Sequence, residues 1–221
     1  MRPSFAMALL CASLFTLGSA VRADDTAPVR LGVSVALHTS TFIGNSQSGP
    51  WTPVSDTLYS DTFEHGRGGR LEIFRDLDST WRLQGGVART GWSGRYFKGG
   101  EFPAGVQFGD FGATAFYGGA RWRFREGNTV RPYFVGNFGL TWLDDVAVDT
   151  GSGPSPYWKR TLRDYLELGA GVEVRLSDRT ALLFDGRFQV FGKPGSARGY
   201  TAEGTGGVAF LISAGFDFNL R

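Results

Sequence analysis

The chain has 221 residues, and its 23 Lys and Arg residues against 21 Asp and Glu residues give a formal net charge of +2. Removal of a predicted signal peptide over residues 1–23 takes away Arg2 and Arg22, which leaves 21 basic and 21 acidic residues and a net charge of zero. This balance excludes nucleic-acid binding driven by bulk charge. The single cysteine, Cys11, lies in the signal peptide, so the mature chain has no disulfide, cysteine nucleophile or cysteine-based metal site.

The N-terminus has the organisation of a secretory signal peptide. Arg2 precedes the apolar run FAMALLCASLFTL at residues 5–17, and the small residues Val21 and Ala23 stand just before the predicted cleavage site. The apolar run is too short for a membrane helix. The chain is therefore predicted to consist of a signal peptide, residues 1–23, and one domain, residues 24–221.

The composition predicts an all-β protein. The 33 Gly, 19 Phe, 6 Trp and 7 Tyr residues are unusual for a helical chain of this size. Apolar and polar residues alternate with period two along eight segments, which is the pattern of half-buried strands. In chain order the predicted strands are 29–37, 69–75, a strand that starts at Trp81, 111–124, 130–143, the two strands of a hairpin at 165–191, and 208–220.

Short and long connections alternate along the predicted strands. The short turns end at Thr80, Thr129 and Thr180, and the long loops cover residues 43–62, 97–109, 147–160 and 192–204. Since successive antiparallel strands alternate in direction, all short turns fall at one end and all long loops at the other. This asymmetry is typical of an eight-stranded antiparallel up-and-down transmembrane β-barrel with periplasmic turns and external loops.

The two faces of the predicted strands favour a membrane barrel over a soluble one. A soluble barrel would turn its apolar face inward to hold an apolar ligand, whereas a membrane barrel would turn it to lipid. The polar face mixes charges of both signs with glycine, which inside a narrow barrel makes room for long side chains that pair across the lumen. The predicted lumen charge network consists of Arg30, Arg70, Glu72, Arg82, Arg121, Arg123, Glu167, Glu173, Arg175, Asp185, Arg187 and Asp217.

Aromatic residues on the apolar face concentrate near both ends of the strands. Two such bands around an aliphatic middle match the interfacial girdles of a membrane barrel. The predicted girdle consists of Trp81, Trp122, Phe124, Phe216 and Phe218 toward the short turns, and of Trp142, Phe188 and Trp92 toward the long loops.

Two segments carry a resemblance to a known family. RPYFVGNFGLTW resembles the fifth strand of the OmpA-like and OmpX-like outer-membrane β-barrels, and GAGVEVRLSDRTALLFDGRFQVF resembles their next hairpin. As a pattern the match covers most of residues 29–220. It implies an eight-stranded barrel in a Gram-negative outer membrane, in contact with lipid and lipopolysaccharide and inserted by the barrel assembly machinery.

The C-terminal strand resembles the recognition signal of that machinery, a polar residue, a glycine and two spaced aromatic or apolar residues. Here these are Ser213, Gly215, Phe218 and Leu220. The chain departs from the family because it ends in Leu220-Arg221 rather than in an aromatic residue. This difference is expected to affect the efficiency of assembly rather than the fold.

A His-x-Ser fragment raises an enzymatic alternative. Lipid A deacylases, which are also eight-stranded barrels, use such a pair with an acidic partner, and here His38, Ser40 and either Glu64 or Glu72 would take these roles. In that family the motif lies on a late strand and faces lipid, whereas here it lies on the first strand and its parity points into the lumen. No enzyme activity, cofactor or metal is therefore predicted.

The long loops would carry the function of a rigid barrel. Loop three presents Tyr157 and Trp158 beside Lys159 and Arg160, which could bind lipopolysaccharide or a surface partner, or could form the upper girdle. Asp144, Asp145 and Asp149 either bind a cation or solvate a strand end, and the second is favoured. The sequence thus predicts a structural or surface-interaction protein without enzyme activity; a deacylase-like enzyme and a small pore are the alternatives.

Overall fold

The structure is a computed structural model that describes residues 30–43, 58–99, 102–124, 129–197 and 206–220. The predicted signal peptide lies outside the described residues. One short helix, α1, covers Tyr59–Thr62. The strands are β1 Leu31–Phe42, β2 Gly66–Asp76, β3 Trp81–Trp92, β4 Tyr96–Gly99, β5 Phe102–Phe108, β6 Phe111–Arg123, β7 Val130–Leu143, β8 Val146–Asp149, β9 Pro154–Lys159, β10 Thr161–Arg175, β11 Thr180–Phe191, β12 Gly195–Ser196 and β13 Gly207–Asn219.

Eight long strands form a closed barrel in the order β1-β13-β11-β10-β7-β6-β3-β2. Every neighbouring pair is antiparallel. The first strand pairs with the last, from Gly32 opposite Asn219 to Phe42 opposite Ala209, so the sheet has no open edge. The predicted eight-stranded antiparallel up-and-down barrel is confirmed.

Side-chain oxygens organise two of the short turns. In the turn between β2 and β3, Asp78 Oδ1 accepts hydrogen bonds from the backbone N–H groups of Thr80 and Trp81, both at 2.6 Å. Between β10 and β11, Ser177 Oγ accepts from the N–H groups of Arg179 and Thr180. Such local bonds hold the chain in a tight reversal. Residues 125–128 of the third turn lie outside the described part.

The long connections contain secondary structure that period-two analysis read as loop. Five short strands form a second sheet in the order β12-β9-β8-β5-β4, here called the loop sheet. Helix α1 lies within the first long connection. These strands have two to seven residues, too few for alternation to stand out from the surrounding Gly, Pro and Ser residues.

The outer face of the barrel is apolar and exposed. Leu37 is 73% exposed, and Phe138 and Ile212 protrude in the same way from β7 and β13. The lumen-facing side chains of the same strands are buried and largely polar. Such a surface needs an apolar medium around the strands. Among the described residues, no helix is long and apolar enough to cross a membrane.

Candidate functional site

The lumen of the barrel holds a network of paired charges. Among the described residues, six arginines and six carboxylates take part. They are Arg70, Arg82, Arg121, Arg123, Arg131 and Arg187, with Glu72, Asp76, Glu167, Glu173, Asp185 and Asp217. Because a buried charge is costly unless it is paired, the equal numbers of positive and negative groups allow the whole set to be buried.

The layer of the network near the short turns is built around Arg82 and Asp217. Arg82 Nε lies 2.6 Å from Asp76 Oδ1, and its Nη1 contacts Asp217. Arg121 Nη1 reaches the same Asp217 carboxylate at 3.0 Å. Arg123 Nη2 lies 3.1 Å from Asp76. Two carboxylates, on the strands β2 and β13 that flank β1, therefore share three guanidinium groups from β3 and β6, which ties four strands together.

The middle layer is built around Arg187. Its guanidinium lies 2.7 Å from Glu167 and 2.8 Å from Asp185. Tyr133 donates a hydrogen bond to Asp185, and Tyr165 donates one to Glu167, each at 2.7 Å. Glu167 and Asp185 thus each accept hydrogen bonds from the Arg187 guanidinium and from one tyrosine hydroxyl. A buried ion pair is stable only when such additional hydrogen bonds are present.

Two glycines on β10 make the space for this layer. A Cβ built at Gly169 would lie 2.6 Å from Arg187 Cγ, and one at Gly171 would lie 2.6 Å from Asp185 Cβ and 2.8 Å from Tyr133 Cζ. All three distances are shorter than the closest approach of carbon atoms that are not bonded to each other. The glycines of the polar face are therefore required by the long side chains that cross the lumen.

The structure places ten of the twelve predicted network residues in buried positions of the lumen. The other two lie at its short-turn end: Arg30 is half-buried, and Arg175 is 40% exposed and pairs with Asp178 of the turn at 2.5 Å. Asp76 and Arg131 belong to the network but were not predicted. Asp76 lies an even number of positions from Glu72 on β2, and Arg131 lies two positions from Tyr133 on β7, so period two places both side chains on the lumen face.

The predicted girdle residues lie on the outer face, with one correction. Trp81, Trp122, Trp142, Phe188, Phe216 and Phe218 are exposed, and Phe124 is half-buried against Trp122. Trp92, in contrast, is only 1% exposed and stacks on Phe111 inside the barrel. The prediction for Trp92 was wrong because β3 keeps its alternation from Arg82 to its end, and Trp92 has the lumen-facing parity of Arg82 and Gln84.

An aromatic cluster closes the loop end of the lumen. This aromatic cap consists of Phe42, Tyr59, Phe63, Trp92, Phe108, Phe111, Tyr157, Trp158 and Phe191, all buried. Tyr59 of α1 lies at its centre, with its ring centroid 4.8 Å from that of Phe42 and 5.6 Å from that of Trp158. Burial raises the pKa of Tyr59 well above its usual value. The cap joins the barrel to the loop sheet.

The cap corrects the expectation for loop three. Tyr157 and Trp158 were predicted to be exposed for ligand binding or to form the upper girdle, but both are buried in the cap. Lys159 and Arg160 are exposed, as the prediction required of cations that face lipid headgroups or a ligand. The two aromatic rings face the same way because β9 does not alternate strictly and its register with β8 shifts.

The residues of the enzymatic alternative are not assembled into a catalytic site. His38 and Ser40 face the lumen and are buried, and His38 Nε2 lies 2.8 Å from Thr90 Oγ1. No hydrogen bond joins His38 to Ser40 in the described structure. Glu64 is exposed beside Arg95, and Glu72 belongs to the charge network. Both side chains lie on the lumen side of β1, opposite the exposed apolar side chains of that strand.

Two of the three aspartates near loop three, Asp144 and Asp149, have structural contacts. Asp149 Oδ1 accepts hydrogen bonds from the N–H groups of Gly151 and Gly153, at 2.8 and 3.1 Å, which closes the β8–β9 turn. Asp144 contacts Arg89, and its other oxygen lies 3.4 Å from Arg160. No group of three potential metal ligands occurs among the described residues. The favoured interpretation, polar residues that finish strand ends, agrees with these contacts.

Arginines appear on the outer face at the loop end. Arg89 of β3 points outward. Its partner on β2 is Gly69, and Arg67, two residues before Gly69 on the same face, is therefore its diagonal neighbour. A surface cleft of about 450 Å³ borders Arg89, Asp144 and Arg160. Trp142, near the end of β7, lies one outward position before Asp144, which follows that strand. The arginines therefore stand just above the apolar belt.

A closed eight-stranded antiparallel barrel with an apolar outer face and a paired charged interior defines the class of eight-stranded outer-membrane β-barrels. Comparisons with solved structures support this class. The chain is similar to Neisserial surface protein A, NspA (15% identity, 88% of this chain and 98% of that chain, TM-score 0.50), and to the outer membrane protein OprG from Pseudomonas aeruginosa (10% identity, 87% of this chain and 96% of that chain, TM-score 0.51).

No family of known sequences and no curated protein matches the chain. At identities of 10 and 15% the structural likeness concerns the fold. It agrees with the eight-stranded barrel that the predicted resemblance implies. The fold alone does not decide an activity, since the same scaffold carries different functions.

Proposed function

We propose that this protein is a non-conducting, non-enzymatic outer-membrane barrel that acts through its loop-end surface, in a structural or surface-interaction role. The observation that carries the proposal is the double closure of the lumen. The charge network occupies the middle of the lumen, and the aromatic cap fills its loop end. Among the described residues, the loop sheet and the outward arginines Arg67 and Arg89 stay accessible at the loop end.

The packing of the lumen argues against the small-pore alternative. An eight-stranded barrel is only wide enough for its own side chains. Here Arg121 and Arg187 are almost completely buried, and each contacts at least three carboxylates. An ion path would require these contacts to separate, at a cost of several kcal/mol for each unpaired charge.

Conductance in planar bilayers tests this proposal. The mature chain, refolded in detergent and reconstituted, is expected to give no discrete current steps, whereas a porin reconstituted in the same way gives them. A gel-mobility shift between boiled and unboiled samples would show that the barrel is folded. Reproducible current steps from folded protein would overturn the proposal.

Lipopolysaccharide is the proposed contact of the outward arginines. Arg67 and Arg89 point outward at the loop end of β2 and β3, where we expect the anionic headgroups, and guanidinium groups bind phosphate through paired hydrogen bonds. The double variant Arg67→Gln/Arg89→Gln should lose the extra thermal stability that lipopolysaccharide gives over phospholipid alone. An unchanged difference between the two lipids would refute this contact.

Export and assembly complete the proposal. Cleavage after Ala23 would release a chain whose last strand carries the assembly signal. In the structure Ser213 and Gly215 face the lumen, and Ser213 Oγ donates to Asp185. Phe218 and Leu220 point outward and are exposed. The outward pair is therefore accessible to the barrel assembly machinery in the folded strand, while the inward pair serves the lumen.

A further inference from the structure

A cleft of about 450 Å³ opens on the outer face of the barrel at the loop end and is here called the loop-end cleft. Its volume lies within the range of about 300–1,000 Å³ that small-molecule sites have. Its charged residues are Arg89, Asp110, Asp144, Asp145 and Arg160. All of these except Asp144 are exposed, so a molecule outside the barrel can contact them directly.

Two paired glycines keep the cleft open. Gly91 of β3 lies opposite Gly112 of β6, on the same outer face as Arg89. A Cβ at Gly112 would lie 2.5 Å from Asp144 Oδ2 and closer still to Arg89 Nη2, so this ion pair can lie against the strand only because position 112 is glycine. A Cβ at Gly91 meets no atom of the described structure within 4 Å. The backbone at Gly91 is therefore a bare floor that a ligand ring can approach closely.

The arginines of the cleft are held in place and still have donors to offer. Arg89 Nη1 donates to Thr114 Oγ1 at 2.8 Å, and its Nη2 contacts Asp144. A guanidinium group has five N–H donors, so these two contacts leave others for a ligand, and the Arg89 side chain is 52% exposed. Arg160 lies 3.4 Å from the other oxygen of Asp144 and is 70% exposed. Both guanidinium groups are thus positioned at the cleft and accessible.

The charges of the cleft favour hydroxyl groups over a simple anion. Two arginines against three aspartates leave one net negative charge. The exposed carboxylates of Asp110 and Asp145 would repel a phosphate inside the cleft. A hydroxyl group, in contrast, donates to a carboxylate and accepts from a guanidinium, and both hydrogen bonds are charge-assisted. A sugar ring has several hydroxyl groups at close spacing and therefore suits this mixed lining.

The surroundings of the cleft indicate a sugar that belongs to a membrane lipid. Thr114, which holds Arg89, pairs with Trp142 of β7, and Trp142 packs edge-on against Phe116 with ring centroids 5.6 Å apart. A glycolipid beside the barrel would place its acyl chains against these two aromatic rings and its sugar at the cleft. On the other side of Arg89 lies Arg67, the second arginine of the phosphate contact proposed above.

We propose that the loop-end cleft binds a sugar ring of lipopolysaccharide, over the bare backbone of Gly91, with ring hydroxyl groups that donate to Asp145 and accept from Arg160. The site rests on the lipopolysaccharide contact proposed above and adds a second part to it, with phosphate at Arg67 and Arg89 and sugar in the cleft. Because a phospholipid has the phosphate and no sugar ring, the cleft would make the protein prefer lipopolysaccharide.

Native mass spectrometry of the folded chain in detergent micelles tests the proposal with three lipids. Lipid A has sugar and phosphate, phosphatidic acid has phosphate alone, and glucosyl diacylglycerol has sugar alone. Gly91→Leu fills the floor of the cleft. It should weaken binding of lipid A and glucosyl diacylglycerol by about tenfold, the equivalent of one charge-assisted hydrogen bond, and leave phosphatidic acid unaltered.

Thr41→Leu is the matched control, because Thr41 also points outward at the loop end but lies on β1, outside the cleft. It should bind all three lipids as the natural chain does. Asp145→Asn tests the site without filling it, should Gly91→Leu fail to fold. This change should weaken glucosyl diacylglycerol by roughly threefold, because an amide is a weaker acceptor than a carboxylate, and should not weaken phosphatidic acid, because a repelling charge is lost.

The failure of the sugar site is distinguishable from the failure of the phosphate contact. Unchanged affinity for glucosyl diacylglycerol in folded Gly91→Leu or Asp145→Asn would overturn the sugar site. Arg67→Gln, outside the cleft, should weaken phosphatidic acid and leave glucosyl diacylglycerol unaltered. Unchanged affinity of Arg67→Gln for phosphatidic acid would overturn the phosphate contact alone.

Discussion

His38 reaches Thr90 across an intervening strand, with its Nε2 2.8 Å from Thr90 Oγ1. Both residues pair with Gly68 of β2, His38 from one side and Thr90 from the other. The bond passes over Gly68 because that residue has no side chain. His38 Nε2 is therefore engaged in a structural contact that joins β1 to β3 on the lumen side of β2.

Replacement of Gly68 by Ala should destabilise the barrel by about 1–3 kcal/mol. A Cβ at this position would meet both His38 Nε2 and the carbonyl oxygen of Arg89. Urea unfolding in lipid vesicles measures the effect. Gly91→Ala, on the neighbouring strand, is the matched control because its Cβ would have no atom within 4 Å. Equal stability of the two variants would contradict the packing described for Gly68.

Arg187→Gln should cost about 3–5 kcal/mol of folding free energy, because it leaves Glu167 and Asp185 without their closest cation. Arg160→Gln removes an arginine that is 70% exposed and should cost less than about 1 kcal/mol. Unfolding curves of both variants in the same vesicles give the comparison. A small effect at Arg187 would mean that the lumen is hydrated and its charges are already screened.

Val172→Arg should hinder stable membrane insertion, at about 2–4 kcal/mol if it lies near the bilayer midplane. Val172 has the outward parity of Leu168 on β10. Leu176→Arg, just beyond the end of the strand, should cost far less because it lies at the membrane surface. The heat-modifiable fraction on gels reports folding in lipid. A fully folded Val172→Arg barrel would count against the assignment of the apolar face to lipid.

Phe218→Ala should slow assembly in cells more than it lowers the stability of the folded barrel. Phe184→Ala removes a similarly exposed outward phenylalanine outside the C-terminal strand, and should fold at the normal rate. Pulse-chase labelling followed by gel-mobility shift measures the rate of folding. Equal rates for the two variants would show that the C-terminal aromatic residue carries no signal of its own.

Ser40→Ala should leave the lipid A of the host unchanged. Ser40 is buried in the lumen and has no hydrogen bond to His38, so it cannot reach an acyl chain in the membrane. Mass spectrometry of lipid A from cells that express the natural chain, the variant or neither protein provides the comparison. Loss of acyl chains that depends on Ser40 would revive the deacylase-like alternative.

The sequence by itself determined the barrel strands and the direction of their side chains. Period two is a local property of a strand, so it identified Arg121 and Arg187 as residues of one face and Phe216 and Phe218 as residues of the other. The alternation of short turns and long loops then determined the topology. Trp92, which was wrongly predicted to face lipid, also obeys period two, because it lies on the same face of β3 as Arg82.

Only the tertiary structure decided which charges meet and what closes the lumen. Arg70 and Glu167 are 97 positions apart in the chain and are brought together by closure of the sheet, which no local pattern encodes. The aromatic cap likewise joins strand ends to Tyr59 and Trp158 from different long connections. Those segments have short strands and little periodicity, so their burial depends on contacts that form once the barrel is in place.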